Sequence, residues 1–227
     1  MSRLALFDLD NTLLTGDSEV LWVQYLLKQG LLDEGLAARN DDMDRRYHAG
    51  EATAQEFCAF YAATFAGRTA QQWAPILDAF ASSVIFPRLP QAAHALVQHH
   101  RNAGDLLVLT TASSRFLSQP SARALGFENL IATELESAGD GTFTGRTAGT
   151  LNMREGKIAR LKSWLLERGD TPDAMDVTLS NAIFYSDSIN DLPLLMAVGE
   201  PVAVDPDSRL AAEAEARRWP VVRLPRN

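Results

Sequence analysis

The chain has 227 residues, 46% of them hydrophobic, enough for one large interior or for a core with a smaller companion. A formal net charge of -8 disfavours the nucleic-acid backbone as a partner and leaves any anionic substrate dependent on local positive groups. The single cysteine, Cys58, excludes an internal disulfide and fits a reducing cytoplasm; with no apolar run near the ~20 residues of a bilayer span, neither export nor a membrane is expected.

Leu4 to Phe7 is a short apolar run that stops abruptly at Asp8-Leu9-Asp10-Asn11-Thr12, the pattern of a buried strand ending in a polar loop. From Asp17 to about Phe86 the apolar spacing becomes helical, as at Val20, Val23, Leu26 and Leu27, and predicts an insert of three or four helices. Thr53 with Glu56, and Thr69 with Gln72, read as capping boxes that open two of them. After Pro87 and Pro90 the pattern alternates: a helix over 92–100, then a strand over 106–109 that ends at Thr110-Thr111-Ala112-Ser113. A helix over 116–125, a short strand at Leu130-Ile131 and a glycine-rich hairpin over 139–145 follow. The next helix carries Lys157 near its start, with Leu161, Trp164 and Leu165 on one face, and leads to a strand over 182–185 that ends at Ser186-Asp187-Ser188. Pro201 to Val204, a helix rich in alanine and glutamate, and Val221-Val222 close the chain.

This alternation predicts an α/β fold with an open, mainly parallel sheet. Ligands in such sheets sit beyond the carboxyl ends of the strands, where strand order reverses. Asp8, Asp10, Thr111, Asp187 and Asp191 all follow strand ends, so one crevice is expected to gather them. Four carboxylates there would repel one another unless a hard divalent cation, such as Mg2+, neutralised them. Lys157 and the Thr111 hydroxyl would hold phosphate oxygens. Attack by Asp8 on phosphorus would give an aspartyl-phosphate, with Asp10 beside it as acid and then base.

The run Phe-Asp8-Leu-Asp10-Asn-Thr12-Leu, together with Leu-Thr-Thr111-Ala112-Ser, Glu-Gly-Lys157 and Ser-Asp187-Ser-Ile-Asn190-Asp191, resembles the four motifs of the haloacid dehalogenase superfamily, in its phosphoserine-phosphatase-like branch. The resemblance covers nearly the whole chain and extends to small bacterial phosphatases of the histidinol-phosphate type. It implies a Rossmann-like core over 1–14 and 88–227 and an all-helical cap over 15–87. It further implies Asp8 as nucleophile, Asp10 as acid and base, and a magnesium site from Asp8, Asp10 through its carbonyl, Asp187 and Asp191. Thr111, Ala112, Lys157, Asn190 and Ser188 are then expected around the phosphate. A glycine usually precedes the first aspartate of the fourth motif, where this chain has Ser186. Asp17 stands where phosphoserine phosphatases use a glutamate against the substrate amine, with Glu19 nearby. The expectation is a magnesium-dependent phosphomonoesterase of a small phosphorylated metabolite, phosphoserine or histidinol phosphate among them.

Blander readings compete at several positions. Asp17 and Glu19 suit a helix first turn, Ser113 and Ser114 suit helix caps, and Arg45 and Arg46 suit a solvated surface. Thr110 competes with Thr111, and Lys162 with Lys157. Trp22, Trp73 and Phe60 recur at helical spacing and are expected in the interior of the insert. The four histidines, His48, His94, His99 and His100, follow no strand tip and are not expected as ligands. A receiver-like phosphate acceptor and an inactive metal-binding module are the rival functions. A true haloacid dehalogenase would leave Asp10 and Asp191 without a purpose.

Overall fold

The structure, a computed structural model, describes residues 2–226; the side chain of His48 lies outside the described residues. In chain order the elements are β1 (Leu4–Phe7), α1 (Ser18–Lys28), α2 (Leu36–Ala49), α3 (Ala54–Ala62), α4 (Ala70–Phe80), α5 (Gln91–Asn102), β2 (Leu106–Ser114) and α6 (Arg115–Leu125). They continue with β3 (Asn129–Ser137), β4 (Phe143–Ala148), α7 (Glu155–Glu167), α8 (Pro172–Ser180), β5 (Ile183–Ser186), α9 (Leu192–Ala197), β6 (Glu200–Val204), α10 (Ser208–Arg217) and β7 (Val221–Val222).

The strands form one sheet in the order β4-β3-β2-β1-β5-β6-β7. Pairing is parallel from β3 across to β7, and β4 is added antiparallel at one edge through the expected hairpin. The chain moves outward from β1 through β2 and β3, then crosses to β5 on the other side. Strand order therefore reverses at β1, and its carboxyl end, where Asp8 sits, is the expected place for a ligand.

Every residue of β1 is buried, which a short parallel strand covered on both faces requires. Side chains alternate between two interiors. Ala5, Phe7, Leu109, Ile183 and Tyr185 join residues of α1, α4, α5 and α6 on one face. Leu4, Leu6, Val108 and Phe184 join residues of α7, α8, α9 and α10 on the other. Trp22 stacks on Phe65 at 5.3 Å and meets Trp73 and Phe80 edge-on, so α1 and α4 share the first of these interiors with the sheet. A third cluster, with Met43, Phe57, Cys58 and Tyr61, lies among α1, α2 and α3 and takes in Met153 from the turn ahead of α7.

Both capping boxes form, at Thr53 with Glu56 and Thr69 with Gln72. Two strands run longer than the apolar pattern marks. The polar tip of β2 still pairs with β3, Thr111 opposite Ala132 and Ser114 opposite Thr133, because the ladder uses backbone groups whatever the side chain. Helix α8 is also absent from the hydrophobic pattern. It buries only Met175 and Leu179, too few for a periodicity, although Thr171 caps it and Pro172 begins it.

Candidate active site

Asp8, Asp10, Asp17, Thr111, Ala112, Lys157, Asp187, Asn190 and Asp191 all line one crevice at the carboxyl ends of β1, β2 and β5. The loop after β1 turns tightly, with the amides of Thr12, Leu13 and Leu14 all bonded to the Leu9 carbonyl. That turn swings the Thr12 hydroxyl back between two carboxylates. It donates to Asp187 Oδ1 at 2.9 Å, lies 3.5 Å from Asp8 Oδ2, and accepts from the Asp187 amide at 3.0 Å.

Lys157, 2% exposed in the first turn of α7, places Nζ 2.7 Å from both Asp8 Oδ1 and Asp191 Oδ2. Burial by itself would lower its pKa, but Asp191 and Asp8 outweigh burial and raise it, so the ammonium persists. Burial is also the largest influence on Asp8, with Asp191 and Asp10 adding repulsion; together they push it from 3.8 up to about 7 against the pull of Lys157. Asp187 is raised as well, by burial first and then by Asp8. Ser186, in the place of the usual glycine, donates to Asp191 Oδ2 at 2.7 Å and accepts from the Ser188 amide. The serine thus adds a strut to the loop.

Asp10 is held by three donors: the Ser18 amide at 2.7 Å on Oδ1, and Ser113 Oγ at 2.7 Å and Thr111 Oγ1 at 3.3 Å on Oδ2. Thr110 turns the other way, where its hydroxyl accepts from Asn152 Nδ2. Asp17 caps α1 by accepting from the amides of Glu19 and Val20, and it also lines the crevice. Burial first, then Asp10, raises its pKa. Arg45 and Arg46 sit in surface ion pairs with Asp42, Glu51 and Glu56. His100 is buried between Asp105 and Tyr185, away from the crevice.

Several crevice residues escaped the sequence pattern. Ser113 suits a helix cap but bonds Asp10. Tyr47 and Phe57, with ring centroids 4.0 Å apart, and Met153 share the helical spacing of core residues, yet they wall the crevice. Asp207 caps α10 and accepts from the Ile189 amide, tying α10 to the loop that carries Asp187. Arg226 donates to the Asn11 carbonyl at 2.7 Å and to Asp205, clamping the loop after β1 from the far end of the chain.

Magnesium wants hard oxygen ligands, and typically one or two carboxylates with the remainder water or phosphate. Among the described residues no three His, Cys, Asp or Glu side chains gather into a metal cage. Two do suit a magnesium ion: Asp8 and Asp187, joined through one hydroxyl and both burdened by neighbouring negative charge.

The haloacid dehalogenase-like hydrolase family model matches residues 5–196. The chain belongs to that family. This haloacid dehalogenase-like hydrolase is 41% identical to a histidinol-phosphatase of Neisseria meningitidis over 223 residues, 98% of this chain and 99% of the relative. It is 29% identical to a phosphoserine phosphatase of Mycobacterium tuberculosis over 97% of this chain and 70% of that protein. A solved structure of a protein of unknown function from Bordetella pertussis superposes with TM-score 0.89 at 40% identity, covering 98% of each chain. A substrate-bound phosphoserine phosphatase superposes with TM-score 0.71 at 14% identity over 98% of this chain and 93% of that one, a likeness of fold. The hydrolase is a phosphatase, and the receiver reading lapses with its membership.

Proposed function

We propose that this phosphatase is a magnesium-dependent phosphomonoesterase in which Asp8 attacks phosphorus and forms an aspartyl-phosphate. The observation that carries the proposal is the Asp8 carboxylate at the end of the central strand, with one oxygen on the Lys157 ammonium and the other beside the Thr12 hydroxyl that also bonds Asp187. Asp8, Asp187 and the Asp10 carbonyl would hold Mg2+. Bound there, the ion supplies charge neutralisation to the phosphoryl oxygens.

Lys157 fixes the Asp8 carboxylate and faces the charge that develops on the phosphoryl group. Asp10 stands two residues on, oriented by Ser113, Thr111 and the Ser18 amide, to give a proton to the leaving oxygen and later to take one from water. Thr111, Ala112 and Asn190 border the space for the remaining phosphate oxygens. Asp191 supports the site by holding Lys157 and receiving Ser186. Residues 15–87 act as the cap, which brings Asp17, Tyr47 and Phe57 over the leaving group.

The leaving group is read as histidinol. An aromatic pair suits an imidazole ring, and the carboxylate of Asp17 suits an ammonium; the relationship to the Neisseria protein supports the same choice. Phosphoserine offers the amine but nothing for the rings. Both are small metabolites of the cytoplasm, where the enzyme is proposed to work. Asp8→Asn keeps the shape of the side chain and removes the nucleophile, so phosphate release from histidinol phosphate and from p-nitrophenyl phosphate is expected to fall at least ~1000-fold. Wild-type turnover in that variant overturns the mechanism. Equal or better kcat/KM on phosphoserine than on histidinol phosphate overturns the substrate.

A further inference from the structure

Helix α7 is preceded by Arg154, whose backbone angles are φ 53° and ψ -125°. Side chains with a Cβ resist that region, which glycine enters freely. The turn is tight as well: a Cβ on Gly156 would lie 2.0 Å from the Leu151 carbonyl oxygen, so glycine stands where space demands it, while the strained position two residues earlier holds an arginine. Arg154 is the N-cap residue of α7 but makes no side-chain capping bond, so the helix does not account for its side chain.

The half-buried side chain instead meets a residue of the crevice, Nε donating to Asn190 Oδ1 at 3.2 Å. A guanidinium has donors and no acceptor, so only the oxygen of the Asn190 amide can face it. The NH2 group of Asn190 is thereby turned away from Arg154. The backbone of Asn190 is anchored too, its main-chain N–H donating to Ser188 Oγ at 3.2 Å. Its side chain lines the crevice alongside Lys157 and Ser188.

We propose that Arg154 is a positioning residue for phosphate: it fixes the Asn190 amide with its NH2 group presented to the phosphoryl oxygens, and the strained backbone aims the guanidinium at that amide. The inference rests on the reading of Asn190 as a phosphate contact. It assigns the three-residue step from Arg154 to Lys157 a joint purpose, because both residues at the start of α7 then serve the same oxygens, one directly and one through Asn190.

The test is a cycle of Arg154→Gly, Asn190→Ala and the double variant, each followed by p-nitrophenyl phosphate kinetics, inhibition by inorganic phosphate and thermal melting. Arg154→Gly is expected to keep or raise Tm, since glycine relieves the backbone. Its KM and its inhibition constant for phosphate are expected to rise together by about tenfold, the scale of one charge-assisted hydrogen bond, with kcat within about twofold. In the Asn190→Ala background the same change is expected to add less than about twofold, because the two residues act as one unit. Wild-type KM and phosphate inhibition in Arg154→Gly overturn the inference. So does a full additive loss on top of Asn190→Ala, or a Tm drop of several degrees in step with kcat, which marks a purely structural residue. If the unaltered enzyme releases no phosphate from any small ester and inorganic phosphate does not inhibit or stabilise it, the phosphatase reading fails instead.

Discussion

The ammonium of Lys157 is cut off from water between two carboxylates, and a charge in that position is stable only while its partners stay. Lys157→Met is therefore expected to leave Asp8 and Asp191 buried and unpaired, and to cost about 3–5 kcal/mol in urea unfolding with EDTA present; a loss below ~1 kcal/mol contradicts the pairing. Glu19 poses the opposite problem. It is 4% exposed, one oxygen accepts from the Ser114 amide, and among the described residues the other has no hydrogen-bond partner. Burial is the main reason its pKa rises from 4.5 to about 7. A carboxyl group raised on folding binds its proton more tightly in the native state, so it favours the fold fully below pH 4.5, and that contribution is lost as pH climbs toward 7. Glu19→Gln removes this dependence. The variant is expected to match wild type near pH 4 and to exceed it at pH 8 by up to about 3 kcal/mol, read from denaturant melts at the two values. The aspartates of the crevice stood out in the sequence because they follow strand ends, and Lys157 because it matches a motif of the family. Ser113 did not, since a serine beside a helix start has an ordinary local use, and Glu19 was marked only as a neighbour of Asp17 or a first-turn residue, with no sign of its burial.

At the level of elements, α7 delivers Lys157 to the crevice and α3 brings Phe57 over it, and each depends on how its helix begins. Gly156→Ala would drive a Cβ into the Leu151 carbonyl at 2.0 Å, where backbone rather than a flexible side-chain end is in the way. The first turn of α7 must then shift. The expected outcome is a loss of about 1–3 kcal/mol together with a fall in kcat, because Lys157 moves with the turn. At α3, Thr53 bonds the Glu56 amide and Glu56 bonds back. Thr53→Ala is expected to cost about 1 kcal/mol in thermal or urea unfolding. The capping boxes were readable because they are local, three residues apart. The boundaries of β2 and β3 were not, because their polar ends are held by a ladder with a neighbour that no local pattern reveals. Helix α8 was hidden for a related reason: two buried side chains make a contact but not a period.

For the whole molecule, the assembly of charge around one crevice predicts linkage between metal, folding and turnover. Millimolar Mg2+ is expected to raise the Tm of the wild-type protein, to leave that of Asp187→Asn unchanged, and to restore phosphate release after EDTA treatment. A metal-independent Tm with full activity in EDTA would remove magnesium from the account. The crevice is closed by parts far apart in the chain: Thr12 meets Asp187 across 175 residues, and Arg226 holds the Asn11 carbonyl across 215. Alternating strands and helices, the inserted helices, and the identity of the charged groups were determined by the sequence alone, because periodicity and residue chemistry are properties of short segments. Which carboxylates Lys157 holds, how Asp10 is oriented, what the serine at position 186 bonds, and which aromatic rings line the crevice were decided only in three dimensions. Those features depend on partners brought together by the reversal of strand order at β1, and distances across a sheet are not written in any one stretch of chain.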